Sequence, residues 1–196
     1  MCTNANLNVK QKVRKLLKKY EYVNFLLRGP FSFIMNHKKV TFPDLQSPKG
    51  FRYGIVRTRW NETIVSSLTE GCISSLRKCG VQESDIVVYY VPGSFELPLG
   101  AQTLIKKNIV NAVICIGVLI KGETHHYEYI SEAVSCGIMR VGIKTGIPVI
   151  FGVLTCITSE QAETRAGLRE NCGVNHGIDW GISAVEMAIL CNPQRL

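Results

Sequence analysis

The stretch AVICIGVLI, residues 112–120, runs straight into KGETHHY, residues 121–127, and decides how the rest of the chain is read. The apolar run is far shorter than the roughly 18 residues a membrane span needs. It fits a strand with apolar side chains on both faces, as a central strand of a parallel sheet requires. The polar heptapeptide then stands at that strand's carboxyl end, where open α/β sheets bind their ligands.

Outward from this strand the pattern alternates. FRYGIVR (51–57) and DIVVYYV (85–91) are strand-like, and NETIVSSLTEGCISSLRKCG (61–80) between them is helix-like. Its apolar residues Ile64, Leu68, Cys72 and Leu76 recur at helical spacing, and Gly80 terminates it. FELPLGAQTLIKK (95–107) and YEYISEAVSCGIMRVGIKTG (127–146) are two further helices, the second ending in Gly146, and IPVIFGVLT (147–155) is the fourth strand. TSEQAETRAG (158–167) opens with a capping box, Thr158 and Gln161 three apart, and DWGISAVEMAILC (179–191) is a last helix stopped by Pro193. Repeated strand–helix units imply right-handed crossovers. The expected fold is α/β: a three-layer α/β/α sandwich on a central four-stranded parallel sheet, flavodoxin-like.

With 196 residues, 46% of them apolar, the chain can build one domain with a full core and hardly two. Its net charge of +8 is unevenly placed. Residues 1–50 hold 10 Lys and Arg against Glu21 and Asp44, whereas residues 51–196 hold 13 basic and 13 acidic side chains. The basic character therefore belongs to an N-terminal extension, residues 1–48, ahead of a neutral body, residues 49–196. Within it VKQKVRKLLKK (9–19) can form a short basic amphipathic helix, a pattern shared by organelle-targeting segments, membrane-surface helices and non-specific RNA contacts. The plainer reading is a solvated, poorly ordered tail, so neither nucleic acid nor membrane is expected as a partner. FLLRGPFSFIM (25–35) is broken by Arg28 and Pro30, which speaks against a secretory leader, and Met35 is an alternative start. The eight cysteines (2, 72, 79, 115, 136, 156, 172, 191) include no C-x-x-C pair. Free buried thiols in a reduced, cytoplasmic protein are expected, with organelle targeting by the extension as the alternative.

The strand ends read Arg59-Trp60-Asn61, Val91 through Glu96, Lys121 through His126, and Phe151 onwards. Trp60 can stack on a flat heterocycle while Asn61 offers a donor and an acceptor to its edge; equally, Trp60 can plug the top of the sheet. VPGSFELP (91–98) places a turn with backbone N–H groups at a helix start, which suits carbonyl or phosphate oxygens and also suits an ordinary tight turn. In KGETHHY, Gly122 permits close backbone approach, and the N–H groups of Glu123 and Thr124 point at an anion near the helix start. A histidine there can move protons near neutral pH. Two neighbours cannot both face one pocket, so one of His125 and His126 is a bystander; the bland reading leaves both on the surface. Adjacent histidines chelate poorly, and no Cys or carboxylate stands at zinc spacing, so no metal is expected. Arg165 in ETRAG, read as near a helix start, carries a fork that suits a phosphate dianion or a surface ion pair. The chain lacks G-x-x-x-x-G-K-[ST], G-x-G-x-x-G and a nucleophile elbow, which removes support from NTPase, dinucleotide-binding and hydrolase readings.

RWNETI, VPGSFELP, GVLIKGETHHYEYIS, GIPVIFGVLT, SEQAETRAGL and NHGIDWGISAVEMA, in this order, resemble the lumazine synthase family over residues 51–191, and the IKG and NHG-DWG variants look most like its fungal branch. The resemblance implies a transferase of riboflavin biosynthesis that joins 5-amino-6-(D-ribitylamino)uracil and 3,4-dihydroxy-2-butanone 4-phosphate, without metal or organic cofactor. It implies that Trp60 stacks on the pyrimidine with Asn61 beside it, and that Ser94, Phe95 and Glu96 hold the ribityl chain and ring edge. Val118, Leu119 and Ile120 line the ring. Glu123 and Thr124 cradle the butanone phosphate with Arg165, His126 transfers protons, and Phe151 comes from a neighbouring subunit of a homopentamer whose sites lie between subunits. Three departures stand out: Lys121 where many bacterial members carry Arg, Glu123 beside an anion site, and His176 where they often carry Lys. AGLRENCGVN (166–175) is longer than in the shell-forming bacterial members, so a plain pentamer is expected. The rival reading is a non-catalytic flavin- or lumazine-binding protein on the same scaffold, which would have no use for His126 and Arg165.

Overall fold

The computed structural model of the chain describes residues 45–107, 110–169 and 173–192. Readings that rest on residues 1–44, the basic amphipathic segment among them, and on Cys172 and Pro193 lie outside the described residues. Four strands, β1 (Tyr53–Thr58), β2 (Ile86–Val91), β3 (Ala112–Ile120) and β4 (Val149–Cys156), pair in the order β2-β1-β3-β4, every pair parallel. Five α-helices join them among the described residues: α1 (Glu62–Lys78), α2 (Leu97–Lys107), α3 (His126–Thr145), α4 (Ser159–Arg165) and α5 (Gly177–Cys191).

The period of two along β3 divides the interior. Ala112, Ile114, Ile116 and Val118 face a core shared with Ile64, Leu68 and Leu76 of α1, Ala162 of α4, and Ala184, Val185 and Ala188 of α5. Val113 and Cys115 face a second core with Leu97 and Leu104 of α2 and Val134, Ile138 and Val141 of α3. Helices therefore cover both faces of the sheet, and the three-layer, flavodoxin-like expectation is met.

A glycine seam sets how closely α1 and α5 pack side by side on the first of these faces. A Cβ at Gly177 would lie 1.9 Å from the Leu68 carbonyl oxygen, and one at Gly181 would lie 2.1 Å from Ser75 Oγ. Only glycine at both positions lets α5 lie this close along α1. Leu45 also packs on the first core, and the Ser47 N–H donates to the Cys79 carbonyl at 2.8 Å.

Cys72, Cys79, Cys115 and Cys156 are free and buried, as expected. Burial pushes the Cys72 thiol up to about 12, which makes it inert at neutral pH. Cys136 and Cys191 are free but exposed, because the helical period turns them to the outer faces of α3 and α5. No described helix is long and apolar enough to cross a membrane.

The strand order also locates a crevice. The chain leaves β1 to one side for β2 and then returns past β1 to lay down β3 on the other side. The carboxyl ends of β1 and β3 thus flank the topological switch point, where sheets of this kind bind ligands.

Candidate functional site

The turn after β1 stands on one lip of that crevice. Trp60 is 73% exposed, so it projects above the sheet rather than plugging it. Asn61 takes a left-handed conformation at φ 57°, one of the few that Asn tolerates better than other side chains. Its Nδ2 donates to the Val118 carbonyl at 3.3 Å and so spans the crevice to β3. The Arg59 N–H donates to the Val91 carbonyl at 3.0 Å, tying the same turn to β2.

After β2, Pro92 and Gly93 lead into a 3₁₀ turn, Ser94–Glu96, that runs directly into α2. Glu96 Oε2 accepts the Gly93 N–H at 2.9 Å and staples this loop from within. Ser94 is buried against Gly117 of β3, where a Cβ would come within 2.7 Å of its Oγ. That close approach accounts for a glycine in the middle of the most apolar strand. Phe95 is exposed beside it. A Cβ added to Gly93 would lie 3.9 Å from Trp60 Cδ1, so the indole lies against this loop. Arg59, Trp60 and Pro92 line an open depression between the two turns.

At the β3 end Val118 is buried, and Leu119 and Ile120 are half-buried. The Lys121 N–H donates to the Cys156 carbonyl at 2.9 Å, which joins the β3 and β4 mouths. Gly122 through His126 are all exposed, Glu123 included. His125 stands at the cap position and His126 opens α3, whose first N–H groups and dipole favour an anion. The His126 N–H donates to Thr124 Oγ1 at 3.4 Å. Lys121 forms an ion pair with Glu128, and its Nζ lies 5.8 Å from the centroid of the Tyr127 ring.

Two expectations change at the β4 end. Phe151 is the third residue of β4, level with Cys115, so it lies in the amino-terminal half of an edge strand and away from the mouth. A continuous apolar run does not reveal where its polar end falls, and the strand end is Cys156. Arg165 lies in the last turn of α4, not near a helix start. Thr158 Oγ1 caps the helix by accepting the Gln161 N–H at 3.4 Å, and Gln161 Oε1 accepts the Ile157 N–H at 2.9 Å. Seven residues later the helix is over, with Gly167 at φ 69° beyond it. The Arg165 Nη1 donates to the Gln161 carbonyl at 3.0 Å. Burial raises the Cys156 thiol while the Arg165 charge opposes it. The His176 N–H in turn donates to the Arg165 carbonyl at 2.9 Å, and the His176 ring meets Trp180 edge-on at 6.5 Å.

One chain therefore gathers Trp60, Asn61, Ser94, Phe95, Glu96 and Val118 through Ile120 on the β1–β3 side. Glu123, Thr124 and His126 follow β3 and Arg165 ends the helix that follows β4, while Phe151 joins neither group. Sequence reasoning passed over Arg57, which is buried at the end of β1 beneath the Trp60 turn. Its signal was a charged residue continuing the inward row of Tyr53 and Ile55. Among the described residues no three of His, Cys, Asp and Glu cluster to hold a metal ion.

A sequence model of the family described as 6,7-dimethyl-8-ribityllumazine synthase matches residues 50–192. A 6,7-dimethyl-8-ribityllumazine synthase of Pyricularia oryzae is 43% identical over 189 residues, covering 78% of this chain and 94% of that protein. Another, of Schizosaccharomyces pombe, is 50% identical over 147 residues, covering 74% of this chain and 91% of that protein.

Proposed function

The chain belongs to the 6,7-dimethyl-8-ribityllumazine synthase family, and on that premise we propose how its strand ends carry out the reaction. The reaction is the condensation of 5-amino-6-(D-ribitylamino)uracil with 3,4-dihydroxy-2-butanone 4-phosphate, releasing phosphate and water, the penultimate step of riboflavin biosynthesis. The observation that carries the assignment is the Asn61 Nδ2 to Val118 bond at 3.3 Å, which sets an exposed indole at the switch point between β1 and β3.

Trp60 stacks on the pyrimidine. Asn61 and the ends of Val118, Leu119 and Ile120 border the ring, while Ser94, Phe95 and Glu96 hold its edge and the ribityl chain. The butanone phosphate sits at the start of α3, on the N–H groups of Glu123 and Thr124, with Arg165 supplying a charge-assisted fork. The exposure of Glu123 supports a carboxylate turned away from that anion. The pyrimidine's own amine attacks the ketone carbon, an imine forms with loss of water, phosphate departs, and the second ring closes by dehydration. Each step moves a proton, and His126, on the first turn of α3, moves it. Positioning of two substrates supplies much of the remaining rate.

The working unit is a homopentamer in the cytoplasm, with sites between subunits. Phe151, 39% exposed on an edge strand and remote from its own crevice, serves a neighbour's site. The exposed Tyr129, Met139 and Ile143 on the outer side of α3 support burial against another copy. Purified protein is mixed with both substrates and growth of the fluorescent lumazine is followed beside His126→Ala and Arg165→Ala. Turnover that falls in both variants while the sedimentation mass stays pentameric supports the assignment; full turnover in His126→Ala sinks it.

A further inference from the structure

Arg57 is the fifth residue of β1, in register with Tyr90 of β2 and Ile116 of β3. Tyr53 and Ile55 precede it on the same face and are wholly buried beneath α1 and α5, and Arg57 itself is only 6% exposed. A third apolar side chain would continue the row at no electrostatic cost, whereas a guanidinium must be compensated.

The compensation is partial. Nη2 donates to Glu62 Oε1 at 2.7 Å and to Ser66 Oγ at 3.1 Å, and the Ser66 hydroxyl donates to the same Glu62 oxygen at 2.8 Å. The guanidinium carbon lies 5.2 Å from the centroid of the Tyr90 ring. Nε is buried without a hydrogen-bond partner among the described residues. An ion pair whose carboxylate partner is exposed, and which leaves a buried donor unmet, is a poor source of stability compared with a well-packed apolar residue.

What the arrangement supplies is position. Glu62 is the first residue of α1, Asn61 with its left-handed backbone comes just before it, and Trp60 comes just before that. We infer that Arg57 is a positioning residue for the pyrimidine half of the site. It clamps the first turn of α1 to β1 and β2 through Glu62, Ser66 and Tyr90, so that the reversal at Asn61 holds the Trp60 ring against the Gly93 loop before substrate arrives. A ring platform held in place loses less freedom on binding than one that must be ordered. The role calls for arginine: a lysine's point charge cannot hold Glu62 and Ser66 with a planar fork that also reaches over Tyr90. The inference rests on the reading of Trp60 as the residue that stacks on the pyrimidine.

The test uses the full chain and steady-state rates with each substrate varied in turn, for Arg57→Lys, Glu62→Ala and Trp60→Ala. Arg57→Lys and Glu62→Ala are each expected to raise KM for the aminopyrimidine about 5–20-fold, leaving KM for the butanone phosphate and kcat within about threefold. A merely structural role would move both KM values or neither, and either result in these two variants overturns the inference. If Arg57→Lys does not fold, the KM split in Glu62→Ala decides alone. Trp60→Ala separates the levels. No rise in the aminopyrimidine KM there overturns the stacking assignment and the inference with it. A rise there, without one in the other two variants, overturns the inference alone.

Discussion

The two sides of the crevice are held in different ways. On the β1–β2 side the bonds run between elements: Asn61 to Val118, Arg59 to Val91, Arg57 to Glu62, with the Gly93 loop stapled by Glu96. On the β3–β4 side only backbone bonds join elements, Lys121 to Cys156 and His176 to Arg165, while the side-chain bonds stay within one segment, His126 to Thr124 and Arg165 to Gln161, among exposed residues. A flat, rigid ring rewards a platform fixed in advance, since little adjustment remains when it binds. A dianion is drawn to donors over a longer range and can complete the geometry of exposed side chains as it arrives. On the proposed reading the pyrimidine side is thus largely built in advance, and the phosphate side is completed as its ligand arrives.

The largest effect should come from the open side. His126→Ala is expected to lower kcat about 10²–10⁴-fold, with lumazine affinity by fluorescence titration held within about twofold. A matching loss of lumazine affinity would break the division between the halves. Arg165→Ala should raise KM for the butanone phosphate about 10–100-fold and leave KM for the aminopyrimidine alone, with Arg165→Lys recovering part of the loss through its remaining charge. Equal shifts in both KM values would place Arg165 on the wrong side.

The rigid side should answer in stability. Asn61→Ala gives up a hydrogen bond and forces an ordinary side chain into the left-handed region, at a cost of about 1–2 kcal/mol in denaturant unfolding. Asn61→Gly restores the backbone freedom without the bond and should recover about half. Equal losses in both variants would assign the whole cost to the bond. The smallest effect concerns Glu62, whose carboxyl is held below its ordinary 4.5 by the Ser66 hydroxyl first and then by Arg57. Its folded pKa is the lower one, so its contribution is fully present above about 4.5 and disappears as pH falls through the depressed value. Glu62→Gln should flatten the acid limb of the thermal midpoint against pH slightly in that window. An unchanged limb would show that the clamp carries no charge-dependent stability.

Most of the scaffold could be read from the chain because its signals are local. AVICIGVLI is apolar on both faces, Gly80 and Gly146 sit where left-handed backbone ends α1 and α3, and Thr158 caps α4 from its predicted place. The misreadings share a cause in tertiary geometry. Phe151 and Cys156 belong to one strand-like stretch, and only the register against β3 shows which of them lies at the mouth. Arg165 follows a recognisable cap, but the short length of α4 puts it at the other end of the helix. The exposure of Cys136 and Cys191 depends on which side of each helix meets the sheet. Arg57 was hidden because its partners, Glu62, Ser66 and Tyr90, declare themselves only when β1, α1 and β2 are assembled.

The glycine seam between α1 and α5 carries a consequence for the chain as it is made. Roughly a hundred residues separate the two helices, a span that translation crosses in about 5–20 s. For that interval the side of α1 bearing Leu68, Cys72 and Leu76 has been synthesised without the helix that covers it. The apolar surface most exposed to misassociation on the ribosome is therefore the one whose partner arrives last, and the bare Gly177 and Gly181 backbone lets that partner dock without displacing any side chain of its own.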